Sequence, residues 1–282
     1  MHAVSSLPSV SIIITAYNAE RFIRTTVSAA LNQDYPNYEV IVLDDGSEDR
    51  TETICKSLTD PRLRYIKSPH IGRSQALNAG VHLATGDYIA INDADDLSLP
   101  NRLICTIPFL LRHPEAAMVA TAYSTTTVFQ EDLPSVLVSE GKESTVVQWL
   151  DPIRLYRGNS LVHSTVVFPK SVWRSAGGYD DQLEMCVDYD FFLRIMQFGK
   201  IALIPESTVL FFKNPATFFK MKSHREYLTA LFTIKRRAHR LLALPIWTRV
   251  CDLIPFYLIG RTMLNQLFTG AGGLRRDPRV NQ

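Results

Sequence analysis

The sequence predicts an α/β protein: a mainly parallel, mixed sheet flanked by helices, followed by a basic helical extension at the C-terminus. Three observations carry this. Strand and helix signals alternate through the first third of the chain, the pattern of βαβ units with right-handed crossovers. Three of the predicted strands end abruptly in polar clusters, as strands do where an open parallel sheet meets its ligand. Beyond Asn214 the chain turns strongly basic and helical.

The elements follow in order. Val10 to Thr15 is a short apolar run that reads as a strand. Glu20 to Leu31 has helical spacing through Phe22, Ile23, Val27, Ala30 and Leu31. Tyr38 to Leu43 is a second strand, ending at Asp44-Asp45-Gly46-Ser47. Thr51 to Leu58 is helical, Leu63 to Ile66 a short strand, and Gln75 to Ala84 a helix stopped by Gly86. The strand from Tyr88 runs into Asp93-Ala94-Asp95-Asp96. Ala117 to Phe129 and Leu161 to Phe168, rich in Val and Thr, predict two further strands, with a polar surface loop over Gln130 to Glu143 between them. Val187 to Gln197 predicts an amphipathic helix and Ile201 to Phe212 a returning strand. In the basic tail, Tyr227, Leu231, Ile234, Ala238 and Leu241 share one helical face, with Lys235, Arg236, Arg237 and Arg240 largely elsewhere.

Length and charge bound the function. At 282 residues the chain can bury a large core. The net charge is only +2, but the stretch from Asn214 carries twelve Lys or Arg against Glu226, Asp252 and Asp277, which is +9 and leaves −7 on the rest. An acidic body with a basic tail points to an anionic membrane surface as partner; the plainer alternative is that the tail neutralises the body. No nucleic acid partner is expected. Cys55, Cys105, Cys186 and Cys251 are scattered without a Cys-x-x-Cys, so neither a zinc site nor a disulfide frame is expected, and a reducing cytosol is. The start has no signal-peptide pattern, and the best apolar candidate for a span, Leu253 to Gly260, is too short.

The acidic turn is the most chemically informative feature. Carboxylates as crowded as Asp93, Asp95 and Asp96 repel one another unless a cation sits among them. A hard divalent ion such as Mg²⁺ or Mn²⁺ prefers such oxygens and often brings a phosphate with it. A solvated acidic turn is the bland alternative. In a parallel sheet this turn meets Thr15-Ala16-Tyr17-Asn18 and Asp44-Asp45-Gly46-Ser47 along one edge, and that convergence is more specific than any one cluster. Taken alone, Asp44 reads more readily as a cap or turn residue and Asp188 as a helix cap. The chain has neither the Gly-x-Gly-x-x-Gly of a dinucleotide oxidoreductase after its first strand nor a P-loop signature.

Here the chain resembles the family 2 glycosyltransferases of GT-A fold. The resemblance rests on Ser11-Ile-Ile-Ile-Thr-Ala-Tyr-Asn18, Ile41-Val-Leu-Asp-Asp-Gly-Ser47, Gly72-Arg-Ser-Gln-Ala-Leu-Asn-Ala-Gly80 and Gly86-Asp-Tyr-Ile-Ala-Ile-Asn-Asp-Ala-Asp-Asp96. It continues through Asn159-Ser-Leu-Val-His-Ser-Thr165, Gly177-Gly-Tyr179 and Asp188-Tyr-Asp-Phe-Phe-Leu-Arg194, collinear from Ser9 to Phe212. It implies a glycosyltransferase domain over 9–213, with a nucleotide-sugar half (9–96) and an acceptor half (97–213), and a helical basic tail over 214–282. It implies that Ala16, Tyr17 and Asn18 line the nucleotide pocket, that Asp44 holds the uracil or equivalent base, and that Arg73 lies beside the base or phosphates. Asp93 would face the ribose and metal shell, Asp95 would ligate Mg²⁺ or Mn²⁺ on the diphosphate, and Asp188 would be the catalytic base. Three departures stand out: Val187 where many members have Glu, Phe191-Phe192 for Leu-Trp, and Phe211-Phe-Lys-Asn214 for a Tyr-Arg-x-His stretch.

His163 is an acceptor-side candidate or a satisfied core residue. Asp190 and Arg194, four apart, are expected to pair on the helix surface without a catalytic role. Trp149, Trp173 and Tyr179 are expected in core packing. The function implied is inverting, metal-dependent transfer of a sugar from a nucleoside-diphosphate sugar, UDP-linked, to a glycan or lipid-linked acceptor. Its place would be cell-surface polysaccharide synthesis, cytoplasmic and peripheral on the inner face of the membrane. A noncatalytic glycan- or nucleotide-binding module and a nucleotidyltransferase are the competing readings.

Overall fold

Apolar β-branched runs of five to seven residues, too short for helices, form the centre of the sheet. The computed structural model describes residues 7–127, 146–213 and 224–253. Strands β1 (Val10–Ala16), β2 (Tyr38–Asp44), β3 (Leu63–Lys67) and β4 (Tyr88–Asp93) are all parallel, in the spatial order β3-β2-β1-β4. Beyond β4 the sheet becomes mixed. It adds β8 (Val167–Pro169), β6 (Ala116–Thr126), β9 (Lys200–Phe212) and β5 (Leu97–Ser98), and β7 (Gln148–Trp149) also pairs with β9.

Successive side chains of a strand point to opposite faces, and β1 shows it. Ile13 joins one core cluster, with Ile41, Ile89 and Ile91; helix α3 (Arg73–Leu83) covers it through Leu77 and Val81. Ile12 and Ile14 join the other, with Val40 and Val42; α1 (Ile23–Ala30) and α4 (Arg102–Arg112) cover it through Val27, Leu103 and Ile107. Helix α2 (Thr51–Ser57) lies between β2 and β3 in the chain. Short helices α5 (Pro152–Arg157) and α6 (Lys170–Ser175) precede α7 (Val187–Ile195), and α8 (His224–Leu241) follows β9. Trp173 and Tyr179 are core residues, as expected, whereas Trp149 is exposed and lies beneath the Lys200 ammonium.

Three expectations need correction. Leu161 to Phe168 is not one strand: a 3-10 turn, His163–Thr165, precedes the short β8. The Asn159 side chain accepts the Leu161 N–H, and Thr165 returns both its N–H and its hydroxyl to the Val162 carbonyl, so local side-chain bonds outcompete the ladder. Helix α7 is not amphipathic; all of its residues except Asp188 are buried. The Asp190–Arg194 pair forms at 2.7 Å, but in the interior rather than on the surface.

The cause of both helix corrections is α8. Its Ala230, Leu231, Ile234 and Ala238 join the core cluster that holds α7, while Leu241 stays exposed. Arg237 reaches Asp180 at 2.6 Å and Asp190 at 3.1 Å, and the buried Lys235 ammonium lies over the Tyr156 ring. Two of the four basic residues thus serve the body of the protein, and Arg236 and Arg240 face outward. The loop expected over Gln130 to Glu143, most of the Leu253 to Gly260 segment and the rest of the tail lie outside the described residues.

Ile234, 1 % exposed, should therefore behave as a core residue. Ile234→Ala is expected to lower the unfolding free energy by about 2–5 kcal/mol. Phe232→Ala, one turn face away and 49 % exposed, should change it by no more than about 0.5 kcal/mol. Urea denaturation of both variants is the check; equal effects would mean that α8 does not dock as described.

Candidate active site

Register brings the polar strand ends together. Ala16 pairs with Asp44 and Thr15 with Asp93, so β1, β2 and β4 stop level at one sheet edge. The turns after β1 and β2 are then laced to each other. The Asn18 N–H donates to the Ser47 hydroxyl (2.9 Å), and the Asn18 side-chain carbonyl accepts the Glu48 N–H (2.9 Å). Asn18 has a left-handed backbone, φ 48°, which Asn tolerates better than other side chains. Tyr17, beside it, is half exposed.

Asp44 lies beneath the edge rather than on its surface. It is 0 % exposed, with one carboxylate oxygen taking the Ser47 N–H (2.8 Å) and the other the Tyr65 hydroxyl (2.5 Å). Each oxygen holds the turn through one hydrogen bond. The neighbouring Asp45 anchors the next loop instead: its carboxylate accepts the Ile71 N–H (2.7 Å) and the Gly72 N–H (3.1 Å). That loop delivers Arg73 as the first residue of α3.

Arg73 donates to Asp93 at 2.6 Å and to His163 Nδ1 at 3.2 Å. Burial works against the Asp93 charge, but Arg73 and His163 together outweigh it and hold the carboxyl well below the usual carboxylate range. Nδ1 of His163 also lies 3.7 Å from the Asp93 carboxylate, and Nε2 lies 2.9 Å from the buried Tyr179 hydroxyl. His163 is thus both buried and part of the site, a hinge between Asp93 and Tyr179.

The acidic turn is held from below. Asn92 donates to the carbonyls of Asp93 and Asp96. Ser164 accepts the Asp93 N–H (3.0 Å) and donates to the Asp96 carboxylate. Asp96 also takes the Phe212 N–H at 3.1 Å. Burial first, then the nearby Asp93 charge, push the Asp96 carboxyl well above its ordinary range. Beneath them the fully buried Arg102 bonds the Ile91 and Val166 carbonyls, Asn92 and Ser98. Burial pushes the pKa of its guanidinium down to about 9, with the charges of Asp96 and Asp93 acting the other way. Asp95 is half-buried between Asp93 and Asp96.

Asp188 is the second residue of α7 and half-buried. Its Oδ2 accepts from the Asn159 side chain at 2.8 Å, and its charge acts on Arg73, as does that of Asp95. The residue that starts α7, Cys186, is left-handed at φ 56°, an uncommon conformation for a non-glycine residue next to a functional candidate.

Among the described residues no group of three His, Cys, Asp or Glu side chains converges as a closed metal cage. A cation held by one or two carboxylates and completed by substrate phosphates needs no such cage. Asp93 and Asp95 fit that arrangement; Asp96, facing Ser164 and Phe212, does not. Sequence reasoning assigned no role to Asn159, Ser164, Asp45 or Arg102, and gave Tyr179 core packing alone. Asn159 and Ser164 sit in the same segment as His163, and its polar spacing would have disclosed them had the segment been read as a turn.

Comparison with known proteins identifies the family. The family model described as glycosyl transferase family 2 matches residues 11–161. The chain belongs to glycosyltransferase family 2. Its match spans β1 to β4, the acidic turn, Arg73 and Asn159. The chain is 31 % identical over 201 residues to a hyaluronan synthase of Pasteurella multocida, covering 70 % of this chain and 20 % of that protein. It is 32 % identical over 209 residues to EpsE of Bacillus subtilis (strain 168), named as a glycosyltransferase, covering 70 % and 69 %. The chain therefore spans about a fifth of the length of the synthase.

Among solved structures, S. aureus TarS 1-349 in complex with UDP-GlcNAc superposes with a TM-score of 0.66 at 16 % identity, covering 83 % of this chain and 70 % of that one. The mannosyltransferase PcManGT of Pyrobaculum calidifontis, in complex with GDP-Man and Mn²⁺, gives 0.61 at 17 % identity, covering 97 % and 82 %. These establish the GT-A fold. The family 2 assignment makes the chain an enzyme, and the nucleotidyltransferase and noncatalytic readings fall away.

Proposed function

We propose that this glycosyltransferase moves a sugar from a nucleoside-diphosphate donor, UDP-linked, to a glycan or lipid-linked acceptor with inversion at the anomeric carbon. The observation that carries the reading is Arg73, which binds Asp93 on one side and senses the Asp188 charge on the other. A donor diphosphate would be recognised on the Arg73 and acidic-turn side, and an acceptor hydroxyl on the Asp188 side. Mg²⁺ or Mn²⁺ would be held by Asp95 and Asp93 with the diphosphate, where it would supply Lewis-acid neutralisation of the leaving charge.

This chain's own residues do the rest. Ala16, Tyr17 and Asn18 line the nucleoside side of the edge, with Asp44 shaping the turn beneath. Arg73 gives the diphosphate a fixed cation once it leaves Asp93. His163, fixed by Tyr179, holds Arg73 in line. Asp188, oriented by Asn159, takes the proton of the attacking hydroxyl. One carboxylate and one displacement invert the centre. The catalytic unit is 9–213, with α8 as its brace, and the relatives named for hyaluronan and chondroitin synthesis support a polysaccharide product.

A panel of nucleotide-sugars with Mn²⁺, scored by nucleoside diphosphate release, tests the reaction. UDP-sugars should be turned over, and the Asp95→Ala variant should lose metal-dependent UDP binding. Asp188→Asn should keep donor binding and stability while turnover falls about 10²–10⁴-fold. Asp190→Asn, set between Arg194 and Arg237, should instead lose about 3–5 kcal/mol of stability. Release of nucleoside diphosphate undiminished in Asp188→Asn would remove Asp188 as the base.

A peripheral position on the cytoplasmic face of an anionic membrane also forms part of this proposal. Among the described residues no helix is long and apolar enough to cross a membrane. After α8, Ile246, Trp247 and Val250 are exposed together with Arg249, a pairing of apolar and basic groups suited to a headgroup layer. The full chain should float with phosphatidylserine vesicles and not with neutral ones, and Trp247→Ala should weaken flotation. Sedimentation of the wild type away from both vesicle types would end the membrane reading.

A further inference from the structure

His70 lies outside every motif that marks the family resemblance, yet it is built into the nucleoside side of the site. Its ring stacks on Tyr17 with centroids 4.4 Å apart and an interplanar angle of 29°. The ring is pinned rather than loose. Nδ1 lies 2.9 Å from the Asp45 carbonyl and 3.1 Å from the Asp45 carboxylate. Both partners are acceptors, so Nδ1 carries the proton and Nε2 is left on the outer side of the ring. The backbone is pinned too. Ile71 and Gly72 donate to the same carboxylate, and Gly46, at φ +80°, lets the His70 N–H approach so closely that a Cβ there would stand 2.7 Å from the His70 nitrogen. The Tyr17 residue nevertheless remains 50 % exposed and the His70 side chain 58 % exposed.

We infer that His70 is a positioning residue for the donor's nucleobase: locked by Asp45, it braces the Tyr17 ring so that the base stacks on Tyr17's open face. This rests on the reading of Tyr17 as part of the nucleotide pocket. A base cannot enter between the two rings, because at 4.4 Å they already stand at stacking distance. Nor does the imidazole retreat without giving up both Asp45 contacts. What remains is the outer face of a tyrosine ring already braced on its other face, so less ordering is left for binding to oppose. Asp45, Gly46 and His70 thereby form one unit that serves the base through Tyr17 and ends at Arg73, which serves the phosphates.

The test is calorimetry on the full chain with Mn²⁺, using two probes, UDP and base-free inorganic diphosphate, against wild type, His70→Ala and His70→Phe. His70→Ala should weaken UDP roughly three- to tenfold, the scale of one aromatic stack, and leave diphosphate within about twofold. His70→Phe keeps the stack and should recover most of the UDP affinity. Tighter UDP binding by His70→Ala would make His70 a lid, and an unchanged affinity would make it a bystander; either overturns the inference. Equal weakening of both probes, or a His70→Phe variant no better than His70→Ala, would reduce it to a structural role and also overturn it. A wild type that binds diphosphate but not UDP would remove the nucleotide-pocket reading itself, whatever the variants do.

Discussion

Charge balance at the acidic turn governs this molecule. Three carboxylates within four residues, at the end of a buried strand, cannot all stay ionised without counter-charge. The protein settles each one differently. Asp93 is kept ionised by Arg73, Asp96 is turned inward to Ser164 and the Phe212 amide, and Asp95 is left half-buried at the edge. The donor's metal and diphosphate would have to enter this same balance, so Arg73 stands where the ligand-free and ligand-bound arrangements meet. The neighbouring residues follow from it: His163 lies between Arg73 and the Tyr179 hydroxyl, and the Asp188 charge acts on the same cation.

The scaffold makes that balance affordable by rigidity at both ends. Parallel register levels three strand ends, and the buried Arg102 ties Ile91, Asn92 and Val166 beneath the turn. On the acceptor side, α8 closes over α7 through Ile234 and Ala238, and through Arg237 on Asp180 and Asp190. The tail is thus two things at once. Half of its helix is an integral brace for α7, the helix that carries Asp188, and exposed apolar and basic groups follow it.

How far the sequence disclosed this depended on the range of the interactions. The strands, the parallel half of the sheet and the acidic turn were legible because period, Gly stops and carboxylate spacing are local signals. Arg73 entered the site only through the family resemblance, since it starts a helix rather than ending a strand, and the structure sets it 2.6 Å from Asp93. What stayed hidden was side-chain direction. Asp44 and Asp45 are adjacent and chemically identical, and only the positions of Tyr65 and of the 71–72 amides show that Asp44 faces inward and Asp45 anchors the loop. Asp190 and Arg194 have the spacing of a surface pair, and nothing local announced that a helix over forty residues later would cover them. The 3-10 turn at His163 was hidden by Val and Thr, whose strand preference was overridden by Asn159 and Thr165.

The central claim is that Asp95 and Asp93 form the cation side of a diphosphate cradle from which Arg73 must be released. Crystals grown with UDP and Mn²⁺, measured at a wavelength where manganese scatters anomalously, test it most directly. The account predicts an anomalous peak beside Asp95, with Arg73 turned from Asp93 to the diphosphate. UDP bound with no peak at Asp95 and the Arg73–Asp93 pair still intact would contradict it.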